Sequence, residues 1–139
     1  MIVKHVHMLT FLAILVLIVG CDGGKPKFED HSQDPERYAN SVKELALNAT
    51  YKAARSREPG DMLLPLVTEL QDQDTNRKPV GNYKPVYTEL LTKTKSLVED
   101  CDKANGGRPS SLSGKLNEIE AVAKKLPGEV QIDKGSGND

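Results

Sequence analysis

The strongest constraint on this chain is the recurrence of apolar residues at spacings of three and four between Tyr38 and Leu126, interrupted at proline and glycine pairs. Asp34-Pro35-Glu36 supplies an N-cap side chain, a proline at the first helical position and an acid in the first turn. Tyr38, Val42, Leu45, Ala46, Ala49 and Ala53 then share one face, with Lys43, Glu44, Asn48 and Lys52 opposite, so a helix is predicted to about Arg57, stopped by Pro59-Gly60. A second helix is predicted from Asp61 to about Asp72 on Met62, Leu63, Leu66, Val67 and Leu70, with Pro65 confining its clean start to the first turn. The polar segment Gln71 to Gly81 reads as a loop.

The third helix is the clearest, from about Tyr83 to Asn105. Its stripe is Tyr83, Tyr87, Leu90, Thr94, Leu97, Val98 and Cys101, and Gly106-Gly107 ends it. The fourth runs from about Ser111 to Leu126 behind serine caps, and Pro127-Gly128 terminates it. No segment alternates apolar and polar residues for long enough to make a strand. Four stripes joined by short loops predict an all-α fold, a small antiparallel bundle of about four helices over residues 35–128, with 129–139 a disordered polar tail.

One internal echo crosses this pattern: Pro65-Leu66-Val67-Thr68-Glu69-Leu70 and Pro85-Val86-Tyr87-Thr88-Glu89-Leu90. It reads as two ordinary helix starts that share a proline and a first-turn glutamate, since two copies are too few for a solenoid.

Composition narrows the function classes. With 139 residues, 19 Lys+Arg against 20 Asp+Glu and 4% aromatic residues, the chain holds one domain and is neither a multidomain enzyme nor a basic nucleic-acid binder. The only long apolar stretch lies near the start. Residues 5–21 are uncharged at neutral pH, and from Met8 to Gly20 every residue except Thr10 is apolar or glycine. That run is shorter than the roughly 20 residues a bilayer core requires. Preceded by Lys4, it has the layout of a secretory signal over residues 1–20.

The run closes on Leu17-Ile18-Val19-Gly20-Cys21: a branched aliphatic, further aliphatics, a small residue and a cysteine. This string resembles the bacterial lipobox, in which the cysteine thiol receives a diacylglyceryl group before a lipoprotein signal peptidase cuts in front of it. The resemblance covers only about the first 21 residues. It implies cleavage between Gly20 and Cys21, a thioether lipid on Cys21, and often a third acyl chain, palmitate for instance, on the new amino group. It therefore implies an exported protein held at the membrane, facing the periplasm or the outside. In enteric-type lipoproteins an aspartate after the cysteine resembles an inner-membrane retention signal, so Asp22 favours the inner membrane over the outer.

Loss of Lys4 with the signal leaves a formal net charge of −2. Anionic lipid would not attract such a chain, so the lipid alone would anchor it. Residues 21–34, the lipidated cysteine followed by Gly, Pro and mixed charges, read as a flexible tether spanning about 20 Å. His31 lies on that tether, where a metal or catalytic histidine has no fixed surroundings, and reads as solvated.

Chemical motifs fail on spacing. Asp72-Gln73-Asp74-Thr75-Asn76 begins like a calcium loop, yet Arg77 stands where glycine is needed and Tyr83 where a bidentate glutamate belongs. Ser113-Gly114-Lys115 looks like the end of a phosphate loop, but Pro109 and Leu116 break the pattern. Glu69, Glu89, Glu118 and Glu120 read as solvated carboxylates. Cys101 reads as a small buried hydrophobe whose acidic neighbours Glu99, Asp100 and Asp102 disfavour a thiolate.

No catalytic, metal-binding or cofactor-binding residue is assigned. The expectation is a non-catalytic binding or structural module at the cell envelope, not an enzyme. Its partners are the membrane, through lipid on Cys21, and a protein of the envelope, with no nucleic acid. The alternative is a redox, metal- or haem-carrying bundle at the membrane surface, and a third class is an enzyme with carboxylate chemistry.

Overall fold

A computed structural model describes residues 33–132 and shows four packed helices, with no strand among the described residues. They are α1 (Pro35–Ala53), α2 (Pro59–Gln71), α3 (Lys84–Lys103), which a single 3-10 turn at Gly81–Tyr83 leads into, and α4 (Leu112–Ala123). The all-α bundle is as the stripes require. None of these helices is long and apolar enough to cross a membrane. The signal-like run, Gly20, Cys21, Asp22 and His31 lie outside the described residues.

Each helix packs on its neighbours in sequence, and α4 closes the ring against α1. Side-chain pairs fix the directions. Tyr38 at the start of α1 meets Glu69 near the end of α2, and Gly60 at the start of α2 lies against Cys101 near the end of α3. Glu89 pairs with Lys125 and Asp100 with Lys115 along α3 and α4, while Lys43 in α1 reaches the carbonyls that follow α4. Every adjacent pair is therefore antiparallel. One end of the bundle gathers the start of α1 and the end of α4, here called the tether end because the chain enters it at Asp34. The far end gathers the end of α1 and the start of α4.

The core is aliphatic, with Leu63, Leu66, Leu90, Leu97 and Ile119 fully buried. Helix α1 buries a wider arc than its predicted stripe. Leu47 joins Val42 and Ala46 inside, whereas Leu45 is only partly covered. The reason is that α1 has two neighbours, α2 on one flank and α4 on the other.

Several boundaries differ from those predicted. Helix α1 ends at Ala53, not near Arg57, because Arg108 in the α3–α4 loop takes the carbonyls of Ala54 and Ser56 at 3.0 and 2.8 Å and turns the chain there. Pro59-Gly60 does not stop α1. It starts α2, where proline at the first position loses no helical hydrogen bond. Gly60 is buried, and a Cβ on it would lie 3.3 Å from the Cys101 Cβ, so the α2–α3 crossing requires a minimal side chain.

Pro65 sits inside α2 and Pro85 at the start of α3, so the echoed strings are not two equivalent helix starts. Pro65 is exposed, and water can serve the carbonyl it leaves unpaired. The Ser111 hydroxyl does not cap α4; it donates to Asp100 Oδ2 at 2.8 Å instead. Beyond Ala123 the chain tightens, with Lys125 and Leu126 donating to Val122 and Ala123, and Leu126 stays buried. The predicted polar tail is also corrected in part: Val130 and Ile132 are partly buried and pack on the core.

Candidate functional site

Two regions concentrate side chains that are not simple core. At the tether end, three of the four tyrosines converge. The Tyr38 ring meets Tyr87 edge-on with centroids 5.7 Å apart, and Tyr83 lies 6.5 Å from Tyr87. The Tyr38 hydroxyl donates to Glu69 Oε1 at 2.8 Å, and Lys78 Nζ lies 3.4 Å from the same oxygen. Gln73 is turned inward beside Tyr38 and buried, although polarity and the neighbouring Asp72 and Asp74 suggest an exposed loop position. The Tyr87 hydroxyl has no hydrogen-bond partner among the described residues.

Burial pushes the Tyr87 hydroxyl up to about 12, with Tyr83 adding to it, and burial followed by the Glu69 carboxylate pushes Tyr38 higher still. Both hydroxyls hold their protons more tightly in the folded chain than in the unfolded one, where tyrosine titrates near 10. Their contribution is complete below about pH 10 and is lost as the pH rises towards 12. Urea midpoints measured from pH 9 to 11.5 are expected to fall above pH 10, with Tyr87 contributing about 1–2 kcal/mol of the loss over that range. Tyr87→Phe is expected to flatten the fall. An identical slope in that variant would remove Tyr87 from the cluster's energetics.

At the far end, a groove of about 460 Å³ opens where the end of α1 meets the start of α4. Leu112 and Leu116 form its floor, and Arg108, Ser113, Asn117 and Glu120 line its sides. The Arg108 guanidinium is already engaged in holding the end of α1. The groove's lining mixes polar and apolar side chains.

The closest approach to catalytic geometry lies between α3 and α4, where Ser96 Oγ is 2.8 Å from Lys115 Nζ. The same ammonium is 2.6 Å from Asp100 Oδ2 and donates to the Ser96 carbonyl at 3.4 Å. Its three donors are all taken by acceptors, so it offers no lone pair to accept the serine proton. The Lys115 hydrogen bond, and then Ser111, hold the Asp100 carboxyl below its usual range. This is a structural knot that ties α4 to α3. Nothing in the local sequence signals it, because its members are brought together only by the antiparallel packing.

The remaining sequence candidates are placed plainly. Ser113-Gly114-Lys115 lies in the first turn of α4, not in a phosphate loop. Asp74 of the calcium-like string pairs with Lys84 at 3.0 Å, and no group of three or more metal-ligating side chains gathers among the described residues. Glu69, Glu89 and Glu118 face Lys78, Lys125 and Lys93, and Glu120 lies in the far-end groove, so no two of them pair. Cys101 is fully buried. Burial, then Asp102 and Asp100, raises its thiol above the usual value, which keeps it from acting as a nucleophile.

Comparison with known proteins gives no match, whether to a family model, a curated protein or a solved structure.

Proposed function

We propose that this chain is an exported, lipid-anchored protein of the bacterial envelope whose helical bundle is a non-catalytic binding or structural module. The observation that carries the reading is the string Leu17-Ile18-Val19-Gly20-Cys21 at the close of the Met8–Gly20 apolar run. Each buried methylene of an acyl chain contributes about 0.8 kcal/mol, and two or three chains hold a protein firmly where one does not. With a formal charge of −2 after loss of Lys4, the domain has no need to touch the lipid surface itself.

The bundle's geometry suits this role. The tether joins at Asp34, and the far-end groove lies about 28 Å away along the 19 residues of α1. The groove's apolar floor and polar sides offer a partner a mixed contact surface.

Metabolic labelling with radioactive palmitate tests the anchor. The wild-type chain is expected to take up label and Cys21→Ala to take up none; equal labelling of the two would refute lipid attachment at Cys21. Affinity capture from detergent-solubilised membranes tests the module, with a stoichiometric envelope partner as the expected result. A Soret band or stoichiometric metal in the purified native protein would instead favour a cofactor-carrying bundle.

A further inference from the structure

The segment after α4 does not run off into solvent. Pro127-Gly128 turns it back onto α1, and Val130 and Ile132 pack against the core. What holds it there is unusual in kind. No backbone hydrogen bond ties residues 127–132 to the bundle among the described residues. The polar attachment is a single side chain, Lys43, whose ammonium donates to the Leu126 carbonyl at 3.0 Å and to the Gly128 carbonyl at 2.6 Å. Asn40 lies one turn earlier on the same face of α1. It presses on Gly128 so closely that a Cβ there would overlap the Asn40 amide oxygen. Gly128 also has φ +87, a backbone conformation that favours glycine.

We infer that residues 127–132 form a latch on the α1–α4 flank, closed by Lys43, which opens as a local unit while the four helices stay folded. The closed state gains two charge-assisted hydrogen bonds and apolar cover. It also carries a cost, because the Asn40 amide oxygen is buried with no donor among the described residues, and opening returns that oxygen to water. Segments held by few side-chain contacts and no backbone ladder open at lower free energy than the core they cover. Opening bares the α1 face at Asn40 and Lys43 together with the apolar side chains of Val130 and Ile132. The inference rests on described residues alone and is independent of the lipid anchor.

Methyl-labelled NMR of the full chain tests it. In the wild type, the Val130 and Ile132 methyls are expected to show microsecond-to-millisecond exchange broadening, with none at Ile119 or Leu90. In Lys43→Met, which keeps the stem and removes the donors, the Val130 and Ile132 resonances are expected to move to random-coil positions while Ile119 and Leu90 keep their native shifts. Gly128→Val, which clashes with Asn40 by an independent route, is expected to reproduce that pattern. Two results overturn the inference. One is unchanged Val130 and Ile132 shifts in Lys43→Met; the other is joint loss of the Ile119 and Leu90 signals in both variants, which would make the segment part of the global folding unit. Should Lys43→Met fail to fold, the wild-type exchange data decide alone, and broadening shared equally by all four residues counts against the latch.

Discussion

Leu90→Ala is expected to lower the unfolding free energy by about 2–5 kcal/mol. Leu90 is fully buried in α3, on the stripe that runs from Tyr87 to Cys101. Truncation removes apolar transfer energy and leaves a cavity that two flanking helices can only partly close. The core has no tryptophan and draws few aromatic residues from a chain that is 4% aromatic, so aliphatic packing supplies most of its cohesion. For a domain of about 100 residues the loss should lower the melting temperature by 10 °C or more. Leu64→Ala is the control: Leu64 is 46% exposed on α2, and its truncation is expected to stay within about 0.5 kcal/mol. Equal losses in the two variants would contradict the packing described here.

The second large effect concerns thiols. Cys101 is fully buried against Gly60, and its raised thiol value further slows attack. Its reaction with an aromatic disulfide reagent in the folded protein is expected to be at least about a thousandfold slower than in denaturant, because the sulfur is reached only through opening. The same titration bears on the other cysteine. The chain has two, and lipid on Cys21 would occupy one sulfur as a thioether. Protein extracted from membranes should therefore show no fast thiol when native and one thiol when unfolded. Two thiols on unfolding would contradict the lipid at Cys21, and a fast thiol in the native state would contradict the burial of Cys101.

The helical stripes were legible because helix periodicity is local. Val42, Leu66, Leu97 and Ile119 each announce a face within a few residues of chain. The ends of the helices were less legible, because partners distant in sequence set them. Arg108 ends α1 from more than 50 residues away, and Ser111 was diverted from its capping role by Asp100 on another helix. Pro59 and Pro65 show the ambiguity of proline. The same residue type that reads as a stop begins α2 at one position and rides within it at the other.

The candidate regions lay further out of reach. Tyr38, Gln73 and Tyr87 come from three separate segments, and no spacing rule joins them. The latch was hidden for a different reason. Val130 and Ile132 are isolated apolar residues in a polar stretch, with no periodicity to mark them as buried. The proposed address of the protein is the reverse case, since it rests on adjacent residues from Leu17 to Cys21.

That address is tested most directly by mass spectrometry of the protein isolated from its own membranes. The account predicts a chain that begins at Cys21, lacking the first 20 residues, with an N-terminal peptide that carries a diacylglyceryl group on the Cys21 sulfur. An unmodified Cys21, or a chain that still retains residues 1–20, would contradict it.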